Sequence, residues 1–331
     1  MGTKFKGWRV HKHDGTVEAA LETLGEHDLS AGTVTIQTEY SGLNYKDALA
    51  LTGKGKIMHR FPLVAGIDVA GCVAVSEDPR FDRGDAVLVT GCGLGENTSG
   101  GFAEYVRVPA EHVIPIPKGL DARSAMQLGT AGFTVGLALH RLEHNGQRAG
   151  GGPIAVTGAS GGVGALAVAI LSQCGYHVVA FTSTAEAHDW LRGLGAAEIL
   201  DTRTPHFGEH ALESARYAGA VDTVGGDLLA RLLPVIDWWG NVAVIGNAGG
   251  AEFTTTVYPF ILRGISLLGV NSTATPRPLR DTIWKRLANE LRPQKLDQIA
   301  AHEITLPEIL DAAEAMIAGH RPRGRTLIRI R

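Results

Sequence analysis

The run Gly158-Ala159-Ser160-Gly161-Gly162-Val163-Gly164 is the first place where residue type and spacing together imply chemistry. It follows the apolar stretch Ile154 to Thr157 and opens the helix-forming run Val163 to Cys174. Small residues between a strand and a helix let the main chain approach a pyrophosphate, whose charge meets free amides and the positive end of the helix dipole. Glycine-rich loops also serve as flexible turns, so the flanking strand and helix are what point to a dinucleotide. Ser160, Gly161, Gly162 and Val163 are the expected phosphate contacts.

The end of the next strand selects the nicotinamide. An acidic residue there would bind the ribose hydroxyls of NAD. The sequence instead runs His177-Val178-Val179-Ala180-Phe181 into Thr182-Ser183-Thr184, and its first carboxylate is Glu186. Hydroxyls in place of a carboxylate remove repulsion toward a 2′-phosphate and donate hydrogen bonds to it. Thr182, Ser183 and Thr184 therefore favour NADPH, with Arg216 or Arg192 as sources of positive charge from outside the loop. Ligands bind outside the carboxyl ends of parallel strands. That rule adds Asp222 to Gly225, Gly246-Asn247 and Leu268 to Ser272 as the remaining cofactor-facing positions.

These residues need a scaffold, and the chain of 331 residues is long enough for two domains with buried cores. In its first third, short apolar or alternating segments (Val34 to Glu39, Val69 to Val75, Ala86 to Thr90, Ala103 to Val108) are separated by Gly, Pro and Asp clusters and predict a compact β region. Arg123 to Leu142 has helical spacing, and strand and helix patterns alternate from Ile154 to Val270, which predicts parallel strands joined by helical crossovers. Leu279 to Gly319 reads as largely helical, and Thr326 to Ile330 as a β-branched strand that returns to the first domain. The fold class expected is α/β with two domains, one of residues 1–122 with 272–331 and a Rossmann domain of residues 123–271.

Composition excludes several functions. A net charge of −3 with both signs scattered offers no basic tract for nucleic acid. The first residues carry Lys4, Lys6, Arg9 and Lys12 without the apolar core of a signal peptide, and no apolar run is long enough to span a bilayer, so a cytoplasmic protein without membrane partners is expected. Cys72, Cys92 and Cys174 are too few and too scattered for a disulfide framework or a zinc knuckle.

Ordered segments along nearly the whole chain carry a family resemblance. They are Ser41-Gly42-Leu43-Asn44-Tyr45-Lys46-Asp47, Thr52-Gly53-Lys54-Gly55-Lys56, Phe61-Pro62, Gly66-Ile67-Asp68, Ser76-Glu77-Asp78-Pro79-Arg80-Phe81, Gly95-Glu96-Asn97, Gly129-Thr130-Ala131-Gly132-Phe133-Thr134, the glycine-rich loop, Ala218 to Gly225 and Pro259-Phe260-Ile261-Leu262-Arg263. Together they resemble the acrylyl-CoA reductase branch, long filed among quinone oxidoreductases, of the medium-chain dehydrogenase/reductase superfamily. The resemblance implies a Rossmann doubly wound sheet plus a GroES-like β-barrel domain. It also implies hydride addition from NADPH to the β carbon of acrylyl-CoA and protonation at the α carbon. Tyr45 and Asn44 become the candidate catalytic residues: the phenol is a donor to an enolate or to the nicotinamide ribose, and the neighbouring amide is a second donor. Packing is the open alternative for Tyr45, and capping or packing for Thr130 and Thr134, which resemble residues lining the nicotinamide pocket. The turn after Val270, with Leu268 and Ser272, is implied near the nicotinamide. Arg325 resembles a terminal cofactor contact, with a surface charge as the alternative. Ser266 to Val270 is implied to pair with its twin in a homodimer. Two positions depart from the branch: Thr184 stands where it commonly has Arg or Lys, and Cys92 where it has an aromatic.

The zinc enzymes of that superfamily place a Cys in the Tyr45 region and Gly-His-Glu where Gly66-Ile67-Asp68 stands here. A catalytic zinc needs about three Cys, His or carboxylate donors, and Ile67 is none, so no zinc is expected. Lys54, Lys56 and Arg60 are candidates for the phosphates of an acyl-CoA thioester, or a solvated loop; Trp238-Trp239 reads as packing. NADPH:quinone reduction and a non-catalytic NADPH sensor remain the alternatives at this stage.

Overall fold

A computed structural model describes residues 4–203, 210–320 and 322–331. The chain divides into one unit of Met1–Thr130, Thr273–Ala288 and Leu296–Arg331, and a second of Ala131–Ser272 and Asn289–Lys295.

In the first unit the strands Phe5–His13 and Thr16–Leu24 form a hairpin closed by Asp14-Gly15, a pair suited to a two-residue turn. Among the described residues, a seven-stranded sheet has its main path in the order His302–Thr305, Thr326–Arg329, Val34–Leu43, Asp68–Ser76, Ala86–Thr90 and Ile114–Pro115, with Tyr105–Val108 also paired to Val34–Leu43. Alternate residues point to one face of a strand. Val34 and Ile36, Val69 and Val73, Val87 and Val89, and Val106 and Val108 accordingly meet in one buried cluster. The terminal strand does return to this domain, with Thr326 opposite Leu43 and Arg329 opposite Tyr40. That antiparallel pairing brings Arg325 beside the segment that leads into the helix Tyr45–Leu51.

The second unit holds a six-stranded parallel sheet in the order Glu198–Asp201, Val178–Thr182, Ile154–Val156, Tyr217–Asp222, Ile236–Val244 and Ser266–Gly269. The chain order of these strands is 3-2-1-4-5-6, the doubly wound arrangement whose direction reverses between Ile154–Val156 and Tyr217–Asp222. The helix Gly162–Gln173 buries Gly164 to Leu171 without interruption, as a helix that is apolar all round must.

The helix Ala122–His144 is broken at Gly129, which has φ 50° and ψ −154°. Among the described residues, no helix is long and apolar enough to cross a membrane. Two strands depart from the expected pattern. His302–Thr305 lies inside the stretch read as helical, and Glu198–Asp201 carries too few apolar residues to announce itself. Both are sheet-edge strands fixed by pairing with a neighbour rather than by their own sequence.

Candidate functional site

The carboxyl edge of the parallel sheet is tied together by short side chains. Thr157 Oγ1 donates to Asp222 Oδ1 at 2.6 Å and accepts from the Thr223 amide at 2.9 Å, while Thr223 Oγ1 donates to the Thr157 carbonyl at 2.8 Å. Asp222 also receives the Gly225 amide at 2.8 Å. Burial raises the Asp222 carboxyl above its ordinary value, against the pull of these donors. Within the glycine-rich loop a Cβ on Gly158 would lie 2.3 Å from Thr223 Oγ1, and one on Gly164 would lie 2.2 Å from the Gly158 carbonyl oxygen. Only glycine permits both approaches. The helix Gly162–Gln173 starts from Gly161 with no side-chain cap, which leaves its first amides available to an anion. Thr182 Oγ1 donates to Ser160 Oγ at 3.0 Å and receives the Thr184 amide at 3.1 Å, so the glycine-rich loop and the end of the second strand form one hydroxyl-lined cradle. Ser183 and Thr184 are exposed there. These residues fit a dinucleotide phosphate.

The structure brings together Ser160, Gly161, Gly162, Val163, Thr182, Ser183 and Thr184 in this cradle. It also sets Gly246 against Thr223, since a Cβ on Gly246 would meet the Thr223 carbonyl oxygen at 2.3 Å. Leu268 lies on the edge strand and Ser272 shortly beyond it. Thr134 is buried in the helix Ala122–His144. Arg216 is a correction. It precedes the strand Tyr217–Asp222, and its amide donates to the Val235 carbonyl at 2.8 Å. That places it at the amino end of the sheet, about 20 Å of extended strand from the carboxyl edge. Arg192 pairs with Asp189 at 2.8 Å on an exposed helix.

The first unit contains a cluster built on three buried charged side chains, Asp47, Asp68 and Arg325. Asp68, 0% exposed, accepts from the Thr130 hydroxyl at 2.6 Å, the Thr130 amide at 3.0 Å and the Asn44 amide group at 2.9 Å. Arg325, 4% exposed, donates to Asn44 Oδ1 at 2.7 Å and approaches Asp68 at 3.5 Å. Asp47 accepts from the amides of Asn44 and Ile67, each at 2.9 Å, and from the Asn44 side chain at 3.0 Å. Asn44 thereby caps the helix Tyr45–Leu51 and spends both ends of its amide inside the cluster. Both ends of that amide are engaged, so it is not the free donor expected from the sequence. Arg325 is not a surface charge: its guanidinium is turned inward onto Leu43, Asn44, Asp68 and Met126. Two glycines make room for the guanidinium, since a Cβ on Gly42 would lie 2.4 Å from Arg325 Nη2 and one on Gly129 would lie 2.6 Å from it. Asp47 does not pair with Lys46, which reaches Glu96 at 2.8 Å instead. Tyr45, at the first turn of the capped helix, is 39% exposed, and its hydroxyl has no hydrogen-bond partner among the described residues. Asp68 as the hub of this cluster was not legible beforehand; its one sequence signal is a lone acid opening an otherwise apolar strand.

Burial, then repulsion from Asp68, pushes the Asp47 carboxyl up to about 7. An unfolded aspartate releases its proton near 3.9. Between those limits the folded chain binds the extra proton, so this group's contribution to stability is greatest below about pH 4 and declines as pH rises to about 7. Thermal melts from pH 4.5 to 8 should show a decline of up to about 3 kcal/mol that Asp47→Asn flattens. Parallel curves for the two proteins would reject this assignment.

The positions corresponding to zinc ligands do not fit the metal. Ile67 offers only its main-chain amide, given to Asp47, and Asp68 is occupied by Thr130, Asn44 and Arg325. Cys92, half-buried at φ 55°, has its thiol raised by burial. Trp238 and Trp239 are 68% and 78% exposed, which corrects their reading as packing residues.

A doubly wound sheet with a glycine-rich first turn, in a chain whose other unit is largely antiparallel and includes the last strand, defines a nicotinamide-dependent dehydrogenase or reductase. Residues 30–118 match the alcohol dehydrogenase GroES-like domain and residues 162–289 the zinc-binding dehydrogenase domain. The chain belongs to the medium-chain dehydrogenase/reductase superfamily, in its quinone oxidoreductase-like, acrylyl-CoA reductase branch. It is 48% identical to the probable acrylyl-CoA reductase AcuI of Escherichia coli, over 97% of this chain and 98% of that one. The putative quinone oxidoreductase YhfP of Bacillus subtilis is 43% identical over 100% of both chains. Among solved structures, the yhdH oxidoreductase of Salmonella enterica in complex with NADP superposes with a TM-score of 0.94 at 46% identity, covering 98% of this chain and 100% of that one.

Proposed function

We propose that this chain catalyses the NADPH-dependent reduction of the carbon-carbon double bond of acrylyl-CoA to propanoyl-CoA. The observation that carries the reading is the 48% identity over 97% of the chain to a probable acrylyl-CoA reductase. Bound NADPH supplies the hydride for the β carbon. The chain's own residues then have three tasks: to orient the acceptor, to hydrogen-bond the thioester oxygen as it takes enolate charge, and to exclude water. Tyr45 donates to that oxygen, with its helix held by Asn44, Asp47 and, through Asn44, Arg325. Thr130, fixed by Asp68, and Thr134 line the nicotinamide, and Leu268, Ser272 and Gly246 complete the cofactor contacts. The exposed Lys54 and Lys56, with Arg60 anchored on the Asn97 carbonyl, meet the phosphates of coenzyme A. Two copies of the chain join along the edge strand Ser266–Gly269, a reading supported by that strand's outer position and by exposed Leu267, Ile261 and Leu262 beside it.

NADPH consumption by the purified protein with acrylyl-CoA, crotonyl-CoA and a simple quinone, each repeated with NADH, tests the reading. Rapid turnover confined to NADPH and the acrylyl thioester is expected, from a species sedimenting at twice the 35.0 kDa chain mass. The second reading, quinone reduction, is favoured by the similarity to the B. subtilis protein. Turnover of the quinone without thioester activity would replace the first reading with it.

A further inference from the structure

A second buried charge grips the strand beside Asp68. Asp68 and Thr90 lie opposite each other in the antiparallel pair Asp68–Ser76 and Ala86–Thr90. Thr90 is held by Arg280, which comes from the helix Arg277–Ala288 and is 2% exposed. Arg280 Nη1 donates to the Thr90 carbonyl at 2.6 Å and to Thr90 Oγ1 at 3.1 Å, while Nη2 donates to the Thr273 carbonyl at 3.2 Å. The Cys92 amide donates to the same Thr273 carbonyl, also at 3.2 Å. Burial, the largest influence on this guanidinium, lowers its pKa. A charge kept in so dry a place needs its hydrogen bonds, and these run to main-chain carbonyls far apart in sequence.

The first unit ends at Thr130 on one chain crossing and resumes at Thr273 on another. Asp68 grips the first crossing through the Thr130 amide and hydroxyl, and Arg280 grips the second at its first residue. Upstream of Thr273, the strand Ser266–Gly269 makes its last pairing where the Val270 amide donates to the Val244 carbonyl at 3.1 Å. Only Asn271 and Ser272 separate that fixed point from Thr273. So short a span between two anchors has little reach, and the placement of Ser272 follows from where Thr273 is held. A guanidinium suits the task, because its planar fork meets two carbonyls at once, which an ammonium cannot do in the same geometry.

We infer that Arg280 is a positioning residue for hydride transfer: by fixing the Thr273 carbonyl it sets Ser272 and the turn after Val270 against the nicotinamide. The inference rests on the cofactor contacts proposed above for Ser272. Calorimetric titration of the whole chain and of its Arg280→Lys and Arg280→Met variants with NADPH and with 2′,5′-ADP tests it, because the second ligand lacks the nicotinamide. Arg280→Lys should bind NADPH about tenfold more weakly, the worth of one net hydrogen bond, and 2′,5′-ADP as the unaltered protein does. Its kcat with acrylyl-CoA at saturating NADPH should fall about 100-fold, since a small misplacement of the cofactor is enough. Arg280→Met, which removes both bonds, should lose more NADPH affinity; where it does not fold, Arg280→Lys decides alone. If Arg280→Lys binds both ligands and turns over as the unaltered protein does, or if it weakens both ligands alike, Arg280 serves only the fold and the inference is overturned. Absence of acrylyl-CoA turnover by the unaltered protein would reject the substrate reading instead, and the titrations would still decide Arg280.

Discussion

Replacing Arg325 with Met is expected to destabilise the protein by about 3–5 kcal/mol, because it leaves buried carboxylates without their buried counter-charge. Asp68 is 0% and Asp47 1% exposed, so neither recovers solvation when the guanidinium is removed. The ion pair itself is long, at 3.5 Å, and contributes little as a contact. The loss comes from what remains: Asn44 Oδ1 loses its 2.7 Å donor, and Asp68 and Asp47 repel each other across a dry interior. Lowering the pH should return part of the lost stability, since protonating Asp47 relieves the repulsion. At roughly 2–4 °C per kcal/mol the melting temperature should fall by about 6–20 °C. Gly42→Ala attacks the same cluster from outside it, because its new Cβ would lie 2.4 Å from Arg325 Nη2. Thermal melts of both variants at pH 6 and pH 8 decide the matter. A melting temperature for Arg325→Met within 2 °C of the parent at both pH values would mean that the cluster contributes nothing to stability.

How much of this was legible in the sequence depends on the range of the interaction that fixes each residue. The dinucleotide cradle was readable because its constraint is local: glycines at the turn from Ile154–Val156 to Gly162–Gln173 act within a few residues of one another. That the strands run parallel with helical crossovers followed from the alternation of patterns. Glu198–Asp201 and His302–Thr305 were not readable, since four-residue edge strands take their conformation from a partner. The acidic cluster was hidden for a related reason. Asp68 and Arg325 are separated by |i−j| = 257 in sequence and meet only because Thr326–Arg329 pairs with Val34–Leu43. Arg216 failed in the opposite way. Its charge suits a phosphate, but the direction of its strand sends it to the wrong end of the sheet. Trp238 and Trp239 read as core because aromatic side chains usually are, whereas the bulge between Tyr217–Asp222 and Ile236–Val244 turns them to the surface.

Tyr45→Phe is expected to lower kcat with acrylyl-CoA about 100-fold, the loss seen when one donor to a developing oxyanion is removed. The prediction separates catalysis from packing because the substitution deletes a single hydroxyl that has no hydrogen-bond partner among the described residues. Tyr45 is 39% exposed and its ring would remain, so the melting temperature should move by no more than about 1 °C. Asn44 and Asp47 hold the helix start independently of that hydroxyl, through bonds of 2.9 and 3.0 Å, so the geometry around position 45 should persist. A donor that acts mainly on the enolate lowers kcat and kcat/KM together and leaves KM nearly unchanged. The dissociation constant for NADPH, measured by titration in the absence of thioester, should then be the same in both proteins. If kcat falls less than threefold, Tyr45 is a packing residue and the donor to the thioester oxygen must be sought elsewhere. If kcat is preserved and NADPH binding weakens about tenfold, its hydroxyl serves the cofactor ribose instead, and the stabilisation of the enolate belongs to another group.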